Sequence, residues 1–220
     1  MNRRALAVNA LTFARVPLIV LWAVLAVLQE LQGGFWLAFW ACAAMLFSGL
    51  TDAWDGALAR RWNVVSTLGK MADPLMDKVF YLVALPVLLW QAVRLDPWLD
   101  FYTLSLLVLT VLYLLRDTWV TFMRSIGTMY GADVAASMLG KVRTALSFPG
   151  LGWIYMFQAF APLVSPNDCC VGNEGLIVPW GLSCLLVEAV LIVLTVWSLV
   201  SYTRQYWPYL KKALERKEDL

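Results

Sequence analysis

Residues 35–77 read FWLAFWACAAMLFSGLTDAWDGALARRWNVVSTLGKMADPLMD. The first part of this stretch is apolar and uncharged as far as Thr51, and it leads directly into an acidic segment. A helix needs about 20 predominantly apolar residues to cross the roughly 30 Å of hydrocarbon in a bilayer. We therefore predict a membrane-spanning helix followed by an acidic cluster near the membrane surface. The acidic residues are Asp52, Asp55, Asp73 and Asp77.

The composition of the whole chain agrees with a membrane protein. Of the 220 residues, 61% are hydrophobic and 15% are charged, and the mean hydropathy is +0.70. A soluble domain usually has about 25% charged residues, so this chain could not cover its surface with polar groups. The net charge is +2, and no basic block interleaved with aromatic residues indicates a nucleic-acid partner.

Six apolar stretches are long enough to cross a membrane. They lie at residues 11–28, 35–60, 72–93, 99–124, 146–164 and 176–202. We predict an all-α bundle of six transmembrane helices that forms a single domain over residues 1–220. The basic residues collect on the side of the two termini and the second and fourth loops, whereas the opposite loops carry Arg94 alone. The positive-inside rule then predicts that both termini are cytoplasmic.

The spacing of the four aspartates predicts a metal site. Asp52 and Asp55 are three positions apart, and Asp73 and Asp77 are four apart, so each pair lies on one helical face. The short connection makes the two helices antiparallel neighbours, and the four carboxylates can converge near the cytoplasmic surface. Unpaired carboxylates would repel one another and partly protonate, which a divalent cation prevents. Because the chain has no histidine, oxygen ligands favour magnesium, manganese or calcium.

The residues between the aspartates complete a longer pattern. Asp52 is followed at fixed offsets by Asp55–Gly56, Ala59–Arg60, Gly69, Asp73 and Asp77. This pattern resembles the signature of the CDP-alcohol phosphatidyltransferases, with every fixed position filled. The resemblance implies that two Mg²⁺ or Mn²⁺ ions are bound by Asp52, Asp55 and Asp73, with Asp77 as a further ligand and candidate general base. It also implies that Gly56, Ala59, Arg60 and Gly69 line the pocket for the CDP-lipid.

A basic segment at residues 116–144 carries candidate acceptor-binding residues. They are Arg116, Arg124, Lys141 and Arg143. Arg116 lies deep in an apolar stretch, and the adjoining Asp117 points about 100° away around a helix, so we expect a pocket or a bound anion as its partner. The alternative is that these cations snorkel to lipid headgroups.

This segment is similar to the phosphatidylglycerophosphate synthases of the same family, which have an arginine–acid pair followed by a Gly-Lys-x-Lys-Thr stretch. Here the counterparts are Arg116–Asp117 and residues 140–144. The amino-terminal Asn9, Thr12, Arg15 and Pro17 also match these enzymes. Departures are Asp117, where glutamate is usual, and Arg143, where lysine is usual.

The expected function is transfer of a phosphatidyl group from CDP-diacylglycerol to an alcohol, with release of CMP. A cationic pocket favours a phosphorylated acceptor, and glycerol 3-phosphate ranks first. Inositol phosphate and phosphatidylglycerol, the acceptor in a cardiolipin synthase, fit the same electrostatics. A different class of function, a cation transporter, would place ionisable groups near the membrane midplane. The resemblance further suggests a homodimer in the bacterial inner membrane, in contact with membrane lipid, with its active site at the cytoplasmic face.

We predict that Asp73→Asn or Asp77→Asn abolishes turnover in detergent while the protein still folds, because each substitution removes a negative metal ligand. Near-wild-type activity in either variant would contradict the metal-site hypothesis.

Overall fold

The computed structural model describes residues 3–62, 67–95, 100–131, 138–164 and 174–215, and this part of the chain is almost entirely α-helical. The six helices are α1 (Arg3–Gln32), α2 (Phe35–Trp62), α3 (Thr67–Leu95), α4 (Asp100–Met129), α5 (Met138–Val164) and α6 (Glu174–Glu215). The prediction of an all-α chain is confirmed.

Five of these helices are long and apolar enough to cross a membrane. The segments are Val8–Gln32, Phe35–Leu58, Leu75–Leu95, Asp100–Met129 and Val178–Glu215. Within the described residues, α5 (Met138–Val164) is not among these five segments. A sixth span at residues 146–164 and the cytoplasmic location of both termini therefore stay predictions.

Large apolar side chains are exposed along the spanning helices. Trp40, Leu82, Leu104 and Val193 are each more than half exposed. Water is a poor solvent for so much apolar surface, and lipid tails are a good one. The chain therefore has the surface of a membrane protein.

Gly33 and Gly34 form the turn between α1 and α2. Both have positive φ, at 71° and 108°, a region that glycine enters without steric cost. The Gly33 N–H donates to the Gln29 carbonyl oxygen at 2.8 Å, which caps the end of α1. This two-residue turn brings α2 back beside α1, and α1 also packs against α3. α1 therefore contacts both helices that carry the aspartates.

The chain divides into two compact units. The first unit comprises Met1–Thr103 and Leu151–Cys184, and the second comprises Leu104–Gly150 and Leu185–Leu220.

Glutamine side chains connect the helices of the first unit. Gln158 donates to the Leu88 carbonyl oxygen at 3.0 Å and to the Tyr102 hydroxyl oxygen at 2.9 Å. Gln91 donates to Gln29 Oε1 at 3.4 Å. All three glutamines are buried. Because lipid offers no hydrogen bonds, these polar groups must find partners within the protein, and they join α1, α3, α4 and α5.

In the second unit α4 packs against α6. Val120, Met123, Tyr202 and Tyr206 form a buried apolar cluster at this contact. Further along the same pair of helices, the Ser105 hydroxyl donates to Glu188, which is completely buried. The contact between α4 and α6 therefore contains both an apolar cluster and a buried carboxyl.

We predict that Gln158→Leu lowers the free energy of unfolding by about 1 kcal/mol, because it removes two hydrogen bonds between helices, and such bonds contribute about 0.6 kcal/mol each on average in membrane proteins. Thermal unfolding in detergent measures the effect. Met156→Leu, a substitution at an exposed position of the same helix, is the control and should leave the midpoint unchanged. Equal midpoints for the two variants would show that the Gln158 contacts add no stability.

Candidate active site

Three of the four aspartates meet at one arginine of α1. The Arg15 Nη2 atom lies 2.5 Å from Asp52 Oδ1 and 3.2 Å from Asp55 Oδ2. Its Nη1 atom lies 3.3 Å from Asp77 Oδ1. Carboxylates from α2 and α3 are thus brought together around a single guanidinium, which is itself almost completely buried.

The remaining signature residues lie on the same two helices. Ala59 and Arg60 are in the last turn of α2, and Gly69 and Asp73 are near the start of α3. Their side chains are outside the described residues. Gly56 is described and partly buried, one position after Asp55.

The three aspartates differ in their access to solvent. Asp55 is buried, and the Thr12 hydroxyl lies 2.8 Å from its Oδ2 atom. The side chains of Asp52 and Asp77 are 57% and 44% exposed. Asp55 is therefore fixed by α1, while Asp52 and Asp77 keep oxygen surface that a ligand can reach.

The carboxylates have the chemistry of a divalent-cation site. Arg15 brings one positive charge to three negative ones, so the site has an excess of negative charge. Mg²⁺ or Mn²⁺ would balance this excess, and both ions prefer hard oxygen ligands such as carboxylates. Among the residues whose side chains are described, no three acidic groups lie close enough together to hold a metal ion. The donor atoms and the exposed oxygens of Asp52 and Asp77 fit such an ion.

Arg15 and Thr12 are site residues that the sequence did not assign. Both belong to the amino-terminal motif of α1, but their contacts are with residues about 40 to 60 positions away in the chain. An arginine inside an apolar helix is a signal for a functional partner. That signal could have identified Arg15.

A second polar cluster lies in the second unit. Arg116 Nη1 lies 2.9 Å from Asp117 Oδ1, and Arg143 Nη2 lies 3.1 Å from the same oxygen. Arg116 also donates to Ser198 Oγ at 2.7 Å. We expected a pocket or a bound anion, rather than Asp117, as the partner of Arg116. The structure shows that Arg116 also pairs with Asp117, because the long arginine side chain can turn back to a neighbour that starts on another helical face.

Aromatic rings complete this cluster. The guanidinium of Arg143 lies 4.1 Å from the centre of the Tyr113 ring. Those of Arg116 and Arg124 lie 5.1 Å and 5.0 Å from the centre of the Tyr202 ring. Three of the four predicted acceptor-binding residues are therefore brought together, and the side chain of the fourth, Lys141, is outside the described residues.

The cluster retains hydrogen-bonding capacity. Within the described part of the chain, the Nε atom of Arg124 and the Nε and Nη1 atoms of Arg143 are buried and have no hydrogen-bond partner. Buried polar atoms normally have a partner, so these N–H groups could bind an additional acceptor such as an anion.

We predict that Arg15→Met destabilises the protein by about 3–5 kcal/mol, because it leaves the buried Asp55 carboxylate without its counter-ion. Thermal unfolding in detergent with a metal chelator measures the loss. The double variant Arg15→Met with Asp55→Asn should recover most of the stability. Arg204→Met replaces an exposed arginine and is the control for loss of charge alone. An unchanged midpoint for Arg15→Met would show that the ion pairs do not support the fold.

Sequence comparisons relate these two clusters to known proteins. A family model described as CDP-alcohol phosphatidyltransferase matches residues 5–200. The chain is 34% identical over 164 residues to a cardiolipin synthase (CMP-forming) of Streptomyces coelicolor, which covers 69% of each chain. It is 26% identical over 199 residues to a CDP-diacylglycerol–glycerol-3-phosphate 3-phosphatidyltransferase of Cereibacter sphaeroides, covering 80% of this chain and 85% of the relative.

A protein of the latter name from Escherichia coli is 29% identical over 171 residues, covering 76% of this chain and 78% of the relative. The family match extends over both aspartate pairs and over the arginine cluster of α4 and α5. The chain therefore belongs to the CDP-alcohol phosphatidyltransferase family and is a phosphatidyltransferase with membrane-length helices.

Proposed function

We propose that this enzyme transfers the phosphatidyl group of CDP-diacylglycerol to glycerol 3-phosphate, forming phosphatidylglycerophosphate and CMP in phospholipid biosynthesis. The observation that carries the proposal is the convergence of Asp52, Asp55 and Asp77 on Arg15, because it gathers three of the four acidic positions of the family signature. The names of the relatives from Cereibacter sphaeroides and Escherichia coli support the choice of acceptor.

We propose that Asp52, Asp55, Asp73 and Asp77 hold the divalent metal, Mg²⁺ or Mn²⁺, as two ions. When bound, such ions stabilise the negative charge that develops on the transferred phosphoryl group. Gly56, Ala59, Arg60 and Gly69 line the site of the cytidine diphosphate, where small residues let the nucleotide approach the backbone. Arg60 donates hydrogen bonds to the phosphate of the leaving CMP.

Asp77 is the proposed general base. Its side chain is partly exposed, so an acceptor hydroxyl can reach it, and its contact with Arg15 orients the carboxylate. The acceptor hydroxyl oxygen forms a bond to the lipid-side phosphorus, the bond from that phosphorus to the oxygen of CMP breaks, and the hydroxyl proton passes to Asp77. Proton removal by a positioned carboxylate typically contributes about 10²–10⁴-fold to the rate.

The acceptor phosphate is bound by Arg116, Arg124, Lys141 and Arg143. The guanidiniums of Arg116, Arg124 and Arg143 lie in the described part of the chain. Asp117 places one negative charge beside Arg116 and Arg143. Arginine forms paired hydrogen bonds with phosphate oxygens, and the unpartnered N–H groups of Arg124 and Arg143 support this role.

The second candidate acceptor is phosphatidylglycerol, because the relative from Streptomyces coelicolor is named a cardiolipin synthase. Inositol phosphate remains the third. A cation transporter is the alternative from another class, and the family match argues against it. We further propose a single-domain homodimer in a bacterial inner membrane, in contact with membrane lipid, with the site at the cytoplasmic face.

The test is CMP release from labelled CDP-diacylglycerol by the purified protein in detergent with Mg²⁺. Glycerol 3-phosphate should give the highest rate among glycerol 3-phosphate, inositol phosphate, phosphatidylglycerol and serine, because its phosphate complements the arginines and its hydroxyl is unhindered. A chelator should abolish turnover, and Mn²⁺ should restore it.

Two variants control this experiment. Asp77→Asn should release no CMP, whereas Asp100→Asn, at the first residue of α4, should behave as wild type. CMP release with phosphatidylglycerol alone would establish the second candidate acceptor. Absence of CMP with every acceptor, together with cation flux in proteoliposomes, would replace the transferase by a transporter.

A further inference from the structure

One residue of α6 contacts two of the acceptor-binding arginines at once. The Tyr202 hydroxyl oxygen accepts a hydrogen bond from Arg124 Nη2 at 2.8 Å. The face of its ring is about 5 Å from the guanidinium carbons of both Arg116 and Arg124. Tyr202 lies two positions beyond residue 200, where the family match ends, and nothing in the family signature requires a tyrosine there.

Tyr202 is itself held rigidly. It is 1% exposed and is packed in the apolar cluster with Val120, Met123 and Tyr206. Its ring is parallel to that of Tyr206, with an interplanar angle of 4° and a centroid distance of 6.3 Å. A fixed aromatic surface thus lies beside two long side chains that are flexible on their own.

The physical effect of such a surface is to hold like charges near each other. Two guanidiniums repel, and each loses about 2 kcal/mol of rotamer entropy when it is fixed. The negative face of an aromatic ring attracts both cations, by about 2 kcal/mol or more where water is excluded. The hydroxyl fixes one N–H of Arg124, and the Nε of that arginine keeps its hydrogen-bonding capacity.

We propose that Tyr202 is a positioning residue for the acceptor, because it sets the spacing and orientation of the guanidiniums of Arg116 and Arg124 so that they bind one phosphate group together. The inference rests on the acceptor role proposed above for these arginines. It adds a determinant of acceptor affinity that lies on the last helix. Tyr202 acts through the arginines and need not touch the acceptor.

The experiment compares Tyr202→Phe, Tyr202→Leu and the control Tyr206→Phe in the full-length protein. Calorimetric titration with glycerol 3-phosphate and with inorganic phosphate gives Kd without turnover. Kinetics with CDP-diacylglycerol give KM for each substrate separately, with phosphatidylglycerol in mixed micelles as a second acceptor. Thermal unfolding reports the stability of each variant.

Tyr202→Phe should raise Kd and KM for the acceptor about tenfold, because one charge-assisted hydrogen bond is lost. Tyr202→Leu should raise them about a hundredfold, because the ring is also lost. KM for CDP-diacylglycerol should stay within about twofold of wild type. Tyr206→Phe should change none of these constants, because it keeps the ring that is stacked on Tyr202.

An unchanged acceptor Kd in Tyr202→Phe would overturn the inference, as would equal effects of Tyr202→Phe and Tyr206→Phe. If Tyr202→Leu does not fold, the comparison of the two phenylalanine variants decides the question. The calorimetric result separates this inference from the proposed function. Wild-type protein that binds glycerol 3-phosphate but releases no CMP would contradict the transferase and leave the Tyr202 comparison decisive. Wild-type protein that binds neither phosphate compound would overturn the inference itself.

Discussion

The ion pairs of Arg15 with three aspartates are the contacts on which the site depends. Each of these groups alone would be costly near a bilayer, and three carboxylates close together would also repel one another. The guanidinium removes both difficulties because its fork reaches oxygens from α2 and α3 at the same time. The short turn at Gly33 and Gly34 is what allows α1 to lie against α2. A backbone feature at one end of two helices therefore supports an arrangement of charges near their other ends.

In each of the two polar clusters, one charged side chain is paired with several side chains of the opposite charge. In the first unit an arginine is surrounded by carboxylates, and in the second unit a carboxylate, Asp117, lies between two arginines. Each cluster has an excess of one charge over its central counter-ion. An excess of negative charge suits a divalent metal, and an excess of positive charge suits a phosphate. The proposed roles, metal binding by the aspartates and phosphate binding by the arginines, follow from this difference in the sign of the charge.

The sequence predicted the helices and the shared helical face of Asp52 and Asp55, for a local reason. Spacings of three and four residues determine which side chains share a helical face, so Asp52 and Asp55 could be paired without a structure. The contacts of Arg15 and Tyr202 could not be predicted in this way, because they join helices that are distant in the chain and depend on packing. The contact between Arg116 and Asp117 was missed for another reason. Helical angles describe where a side chain starts, and a long arginine side chain can end elsewhere.

The length of α6 has a consequence for the depth of the second unit in the membrane. Its 42 residues measure about 63 Å at 1.5 Å per residue, roughly twice the hydrocarbon thickness. Even a tilt of about 40° would leave about 48 Å along the membrane normal, so several turns must extend into the headgroups or the water. Trp207 and Lys211 are residue types that favour that zone. Such residues anchor the helix at the membrane surface and limit how deeply it inserts. They thereby set the depth in the membrane at which Ser198 and Tyr202 contact the arginines.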